Sequence, residues 1–282
     1  RRMTTGTENT LIGAAAGDAL TDADYNVALG ARALGSDTLG SRSVAIGRSA
    51  LESQNFTTAT DTYNTAVGAF AGLEVTTGTE NTLIGGLSGD AITTGIRNVA
   101  VGSYALSTNV AGDQSVAVGH GALFTQNPSG NADMNNTAVG HDAGNQVTTG
   151  TQNTLIGALA GDALTTGSLT CVGYLSGSAL TTSVGNVLMG ELSGTALTTG
   201  AHNTAFGSQA LSTDTLGSRS VAVGHDALRV QNFTTATDAY NTAVGYDAGV
   251  AVTTGESNNL IGGLAGDALT TGSYNTAIGV TS

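Results

Sequence analysis

Residues 81–102 read NTLIGGLSGDAITTGIRNVAVG and contain one five-residue motif twice, at 81–85 and at 98–102. The motif ends in a glycine that recurs sixteen times, spaced by 17 residues in eleven of fifteen steps, by 21 in three and by 16 in one. Such a short period is typical of one turn of a β-solenoid, because helical hairpin repeats need more than about thirty residues. We call this residue the motif glycine, and it occupies Gly13, Gly30, Gly47, Gly68, Gly85, Gly102, Gly119, Gly140, Gly157, Gly173, Gly190, Gly207, Gly224, Gly245, Gly262 and Gly279.

The composition favours a thin, repetitive β structure over an ordinary globular core. The chain has 42 glycines, one proline, no tryptophan and 10% charged residues, yet 40% of its residues are apolar. Small and β-branched residues with evenly spaced glycines suit short strands separated by tight turns. The sequence therefore predicts an all-β fold, a parallel β-solenoid of about sixteen 17-residue coils that runs through residues 1–282 as a single continuous domain.

Charge and motif content argue against several classes of function. The net charge of −13 is unfavourable for nucleic-acid binding, which needs clustered Lys and Arg. No apolar run approaches the ~20 residues of a membrane-spanning helix, so no membrane insertion is expected in this segment. No catalytic triad, phosphate-binding loop or evident carboxylate pair is found, so the chain is predicted to be non-enzymatic and to have no cofactor.

Three positions of the motif predict how each strand is oriented. We call the residue two before the motif glycine the middle column, and the residues three and one before it the flanking columns. The flanking columns are mostly Thr, Val and Ile, share one face of the strand, and are expected to fill the lumen of the coil. The residue four before the motif glycine, which we call the Asn column, is Asn in twelve coils and predicts a stacked ladder.

The middle column is then expected to face outward. It is Ala, Leu or Cys in all sixteen coils, and a continuous apolar strip of this kind is rarely left exposed on a monomer. Identical chains around a common axis are the simplest cover. This inter-chain seam is predicted to include Ala45, Ala66, Ala100, Ala117, Ala138, Cys171, Ala222 and Ala243.

The motifs also carry a family resemblance. SVAIG (43–47), SVAVG (115–119 and 220–224) and NTAVG (64–68, 136–140 and 241–245) resemble the repeats of trimeric autotransporter adhesin heads, and similar arrays occur in bacteriophage tail fibres. The resemblance covers essentially the whole chain, and the longer coil with its Thr-Thr-Gly turn is closer to the phage arrays. It implies a left-handed homotrimeric β-roll, extracellular, in a virion tail fibre or on a bacterial surface. The implied function is structural and adhesive, with a cell-surface receptor or glycan as partner.

Three coils carry four extra residues, which predicts protruding loops at 54–61, 126–133 and 231–238. The first and third share the sequence QNFTTATD, and their phenylalanines are expected to be exposed; the alternative is that each ring folds back onto its own coil. Receptor contacts are predicted at Phe56, Thr57, Thr58, Pro128, Phe233, Thr234 and Thr235.

Other repeated residues are weaker candidates for sites. His120, His141 and His225 each follow a motif glycine and would suit a metal ion if stacked, but the same position holds Ala, Arg, Ser, Tyr and Glu elsewhere, which favours a solvent-facing rim. Cys171 is interpreted as a small hydrophobe. The aspartates of GDAL and GDAI are interpreted as surface charge, because the calcium-binding GGxGxD nonapeptide is missing. These are Asp18, Asp90, Asp162 and Asp267.

The Thr-Thr-Gly turns provide an alternative function. They lie at 76–78, 93–95, 148–150, 165–167, 198–200, 253–255 and 270–272, and a threonine ladder would suit an ice-binding or ice-nucleating solenoid. Coils that have Leu rather than Gly four residues after the motif glycine lack this turn and interrupt the ladder. The chain begins with a closing turn (4–6) and stops in an opening strand (275–279), so it is expected to be an internal segment of a longer fibre, or to stack end to end into a filament.

Overall fold

The computed structural model describes residues 5–282, and Thr4 of the first turn lies outside them. The described residues contain β-strands and turns but no helix. They form a parallel β-solenoid of about sixteen coils, with equivalent residues 17 apart in most coils. The predicted fold class is confirmed at this level. The chain divides into two compact units, Arg1–Asp142 and Ala143–Ser282.

The first unit contains eight coils, each contributing one three-residue strand to a parallel sheet in the order β1-β2-β4-β6-β7-β8-β10-β12. At the end of each of its two longer loops, a two-residue strand pairs with a two-residue strand of the preceding coil. The strands are β1 (Thr10–Ile12), β2 (Val27–Leu29), β3 (Gly40–Ser41), β4 (Val44–Ile46), β5 (Thr60–Asp61), β6 (Thr65–Val67), β7 (Thr82–Ile84), β8 (Val99–Val101), β9 (Gly112–Asp113), β10 (Val116–Val118), β11 (Ala132–Asp133) and β12 (Thr137–Val139).

The second unit repeats this arrangement in the order β13-β14-β15-β16-β18-β20-β21-β22. Its 16-residue coil shifts the register between Ser168 and Thr170, where β14 meets β15. The strands are β13 (Thr154–Ile156), β14 (Ser168–Val172), β15 (Val184–Met189), β16 (Thr204–Phe206), β17 (Gly217–Ser218), β18 (Val221–Val223), β19 (Thr237–Asp238), β20 (Thr242–Val244), β21 (Asn259–Ile261) and β22 (Thr276–Ile278).

Within each unit, the five-residue motif of one coil pairs in register with the motif of the next coil. Ala100 of β8 pairs with Ala117 of β10, and Val101 pairs with Val118. The register is kept across the 21-residue steps, since Ala45 pairs with Ala66 despite the loop between them. Each column of the sequence is therefore a row of neighbouring side chains in the structure.

The direction of the columns is the reverse of the prediction. The middle column points into the coil, and each predicted seam residue has 0% exposure within a single chain: Ala45, Ala66, Ala100, Ala117, Ala138, Cys171, Ala222 and Ala243. The flanking residues Val99 and Val101 are half-exposed instead. A 17-residue coil encloses little space. Within the strands, the small or γ-branched residues of the middle column therefore lie inside, while the β-branched residues of the flanking columns, with their bulk next to the backbone, lie outside.

Two interior positions of the coil exclude each other's large side chain. The residue four after the motif glycine is Gly or Leu, and all six coils with Leu there have Ala in the middle column, as in Leu106 with Ala100. Where glycine stands, as at Gly89, a Cβ would come within 2.8 Å of both Leu83 and Ile92. Leu in the middle column and Leu four after the motif glycine therefore never occur in the same coil, because both would fill the same part of the interior.

The Asn column forms the predicted ladder, and its asparagines are buried except at Asn9 and Asn275. Asn81 Nδ2 donates to Gly95 O (2.9 Å), and Asn81 Oδ1 accepts a hydrogen bond from Asn98 N (3.0 Å). Both asparagines have 0% exposure. These amides satisfy backbone groups that the narrow coil removes from water.

Candidate functional site

The outer face of each unit's sheet is a row of apolar side chains. The residues one before the motif glycine form this row. The other flanking column forms a second row on the same face, with partly exposed Thr and Val side chains. The most exposed members, at 36% to 69%, are Ile12, Leu29, Ile84, Ile156, Phe206, Val244, Ile261 and Ile278. Parallel sheets are normally covered on both faces, so this surface is the first candidate for an interaction site.

The long loops place their aromatic rings inward, against expectation. Phe56 is 7% exposed and Phe233 is 5% exposed, so the prediction that they protrude is wrong and the folded-back alternative is confirmed. Pro128 is half-buried in the middle loop. The loop tips are exposed, and four of the predicted contact residues are among their accessible residues: Thr57, Thr58, Thr234 and Thr235.

A buried polar network fixes the first loop. Asp37 Oδ1 accepts hydrogen bonds from Gly40 N (3.0 Å) and Phe56 N (3.1 Å), and Asp37 Oδ2 accepts from Gln54 Nε2 (2.5 Å). Gln54 Oε1 in turn accepts from Asn64 Nδ2 (2.9 Å). Asp37 and Gln54 have 0% exposure, so the network attaches the loop base to the interior of the coil.

The third loop has the same network in the second unit. Asp214 accepts from Gly217 N (3.0 Å), Phe233 N (3.1 Å) and Gln231 Nε2 (2.6 Å). Burial raises the pKa of the Asp214 carboxyl, and these hydrogen bonds oppose the increase. The short ladder of β17 with β19 closes the loop, just as β3 with β5 closes the first.

The middle loop has a different version of this network. Pro128 occupies the position of the phenylalanine and has no N–H to donate, and Asn109 stands where the other loops have aspartate. Asn109 Oδ1 accepts from Gly112 N (2.9 Å), while the buried Gln126 Nε2 has no hydrogen-bond partner. The middle loop thus lacks both the charged acceptor that aspartate provides and the backbone N–H that phenylalanine donates in the other two loops.

A Tyr–Arg ladder lies beside the first loop, and the sequence interpretation missed it. The Arg42 guanidinium carbon lies 4.8 Å from the ring centroid of Tyr25 and 6.0 Å from that of Tyr63. Arg42 Nε lies 3.0 Å from an Asp61 oxygen at the end of the loop. The signal is the position five before the motif glycine, where Tyr25, Arg42 and Tyr63 follow one another in successive coils.

The second unit contains a shorter copy of this ladder. The Arg219 guanidinium carbon lies 5.9 Å from the Tyr240 ring centroid, and Arg219 Nε lies 2.9 Å from an Asp238 oxygen. The three ladder tyrosines Tyr25, Tyr63 and Tyr240 are 45%, 56% and 55% exposed. Exposed aromatic faces with adjacent charges and loop threonines make a surface that can stack on and hydrogen-bond to a polar ligand.

The histidines lie on an exposed rim, and two of them meet. The rings of His120 and His141 stack with centroids 5.3 Å apart, and both Nδ1 atoms face the Asp142 carboxylate. His225 lies beside Asp226 and Asp247 in a similar cluster. These are the described residues whose donor types and spacing suit a metal ion.

The remaining candidates behave as structural residues. Cys171 is fully buried, and burial raises the pKa of its thiol to about 12, so the thiol stays protonated. Asp90 is half-buried and accepts a hydrogen bond from Ser107, and burial raises the pKa of its carboxyl. In the Thr-Thr-Gly turns the first hydroxyl is used along the stack, as where Thr76 Oγ1 donates to Thr93 O (3.1 Å).

Comparisons with known proteins returned no relative. No model of a protein family, no curated protein and no solved structure matches the chain. Residues 5–282 include no helix long and apolar enough to cross a bilayer.

Proposed function

We propose that this chain is a non-enzymatic segment of an extracellular fibre, and that identical chains join through the flanking columns. The observation that carries the proposal is the apolar outer row, which runs along all eight strands of each unit's sheet. Its side chains are Ile, Val and Leu in most coils, with one Met and one Phe, and carry no charge that would oppose a second copy. Covering it with the same surface of another chain removes it from water.

The resemblance to adhesin heads and phage fibres supports a homotrimer with left-handed coils. In this arrangement the flanking columns, rather than the middle column, form the contact between chains. The middle column and the Asn column then stabilise each coil from within. A trimer of this kind belongs on a bacterial surface or in a virion tail fibre.

The adhesive surface in this proposal combines the loop threonines with the Tyr–Arg ladders. Thr57, Thr58, Thr234 and Thr235 are exposed at the loop tips, and Tyr63 and Tyr240 precede the next strand. A cell-surface receptor or glycan suits this surface, because tyrosine rings can stack on a sugar while hydroxyl groups hydrogen-bond to it.

Two substitutions one residue apart test the association. Val101→Glu adds a carboxylate outside the coil, so we expect a folded protein whose light-scattering mass falls to the 27.7 kDa of one chain. Ala100→Glu adds it inside the coil, where burying an unpaired charge costs several kcal/mol, so we expect loss of the β circular-dichroism signal. A folded Val101→Glu variant that keeps the wild-type mass would contradict the proposed contact.

One observation favours ice binding as the second candidate. The flanking column three before the motif glycine faces outward on the parallel sheet and is Thr in nine of sixteen coils. Val replaces it in six coils, and the other flanking column has no hydroxyl group. Ice binding needs this face exposed, whereas the fibre contact buries it. A clear freezing-point gap in a thermal-hysteresis assay would favour ice binding and count against the fibre.

A further inference from the structure

One cluster of the exposed rim has the donor set of a transition-metal site. His120 follows the motif glycine Gly119, and His141 with Asp142 follows Gly140, so the parallel register brings the three side chains together. His120 Nδ1 lies 3.8 Å from Asp142 Oδ1, and His141 Nδ1 lies 3.3 Å from Asp142 Oδ2. The three ligand atoms lie within 4.8 Å of one another.

We propose that His120, His141 and Asp142 bind a divalent transition-metal ion of the Zn²⁺, Ni²⁺ and Cu²⁺ class. Two imidazole nitrogens and one carboxylate suit these ions, while Ca²⁺ and Mg²⁺ prefer a shell of oxygens. Tetrahedral Zn²⁺ with bonds near 2.0–2.1 Å places its ligand atoms about 3.3–3.5 Å apart. The His141–Asp142 pair already has this spacing. His120 lies 3.8 Å from the carboxylate, and its ring has to rotate out of the stack with His141 to complete the ligand set.

The backbone holds the cluster in place. Asp142 N donates a hydrogen bond to His120 O (2.9 Å), which fixes the two coils at this point. The side chains of His120 and His141 are 56% and 60% exposed, so an ion can reach them from solvent. Three protein ligands leave a fourth position for water.

The site lies where an ion would have a structural effect. His120 and His141 bracket the loop at 126–133, in whose buried network the Nε2 group of Gln126 has no hydrogen-bond partner. A metal ion bound to both histidines would tie together the two coils that this loop connects. It would thereby support the loop whose polar network is the least complete.

The second unit provides an internal comparison. There the cluster is His225 with Asp226 and Asp247, and Tyr246 stacks on His225 where the first cluster has a second histidine. Arg229 Nε lies 3.3 Å from an Asp226 oxygen and competes with a cation. One imidazole and a neighbouring guanidinium make this cluster the weaker binder.

Metal titration of the chain without an affinity tag tests the proposal. Co²⁺ should produce visible absorption bands with nitrogen ligands, and Zn²⁺ should displace it. We expect His120→Ala and His141→Ala each to lower Zn²⁺ affinity more than tenfold, since even changes around a ligand cost about 10–100-fold. Asp142→Asn should do the same, and Asn tolerates the left-handed backbone there (φ 51°).

Matched controls separate the site from general histidine binding. His202 lies outside both clusters, so His202→Ala should bind Zn²⁺ as the wild type does, and His225→Ala should keep the tighter site. Circular dichroism checks that every variant is folded. Unchanged affinity in folded His120→Ala and His141→Ala, or an equal loss in His202→Ala, would overturn the proposal.

Discussion

The motif glycines show how closely neighbouring coils approach. Gly102 has φ +133°, and a Cβ there would lie 2.4 Å from the carbonyl oxygen of Gly119 in the next coil. Both the backbone conformation and the contact therefore exclude a side chain. The glycine column lets the carbonyls of successive coils stack without an intervening methyl group.

Replacing one such glycine should destabilise the solenoid. We expect Gly102→Ala to lower the free energy of unfolding by about 2–4 kcal/mol, because strain and a backbone clash act together. Gly86→Ala is the matched control, since its nearest non-neighbouring atom is 3.9 Å from the added Cβ. Urea unfolding compares the two variants, and equal losses in the free energy of unfolding would contradict the strain and clash at the motif glycine.

At the scale of one strand, the sequence shows which residues share a face but not which face is inside. Alternation groups Val99 with Val101 and separates both from Ala100, and the structure keeps this grouping. All three residues are apolar, so hydropathy does not distinguish inside from outside. Size decides instead, because the lumen accepts Ala100 and the exchange between Ala and Leu but not two β-branched rows.

At the scale of one loop, the inward phenylalanines arise from contacts that are distant in sequence. Phe56 N reaches Asp37, 19 residues earlier, and Gln54 reaches Asn64, 10 residues later. The composition of the loop contains no sign of these bonds, so length alone predicted protrusion. The co-occurrence of Asp with Phe for the first and third loops, and of Asn with Pro for the middle loop, was the available signal.

The buried rings should contribute to stability rather than directly to adhesion. We expect Phe56→Ala to lower the free energy of unfolding by about 3 kcal/mol, because a buried aromatic ring leaves a cavity. The pair Thr57→Ala and Thr58→Ala should change stability by less than about 0.5 kcal/mol and weaken target binding. Thermal melts and a cell-binding assay measure both effects, and a stable Phe56→Ala variant would contradict the inward placement.

At the scale of the whole molecule, each coil depends chiefly on its neighbours. The period, the parallel register and the Asn ladder were all predictable, because each follows from residues repeated at the same spacing. The direction of the columns and the loop networks were not, since each depends on packing or on the meeting of distant residues. Reversing the columns leaves the expectation of self-association intact and moves its surface to the flanking columns.

The mass of the unmodified chain in solution tests this account most directly. Sedimentation equilibrium at several concentrations measures it without reference to shape. If the outer apolar rows join three chains, the mass is three times 27.7 kDa and remains so on dilution. A folded species of 27.7 kDa at every concentration would show that this face stays uncovered, and would contradict the proposed fibre contact.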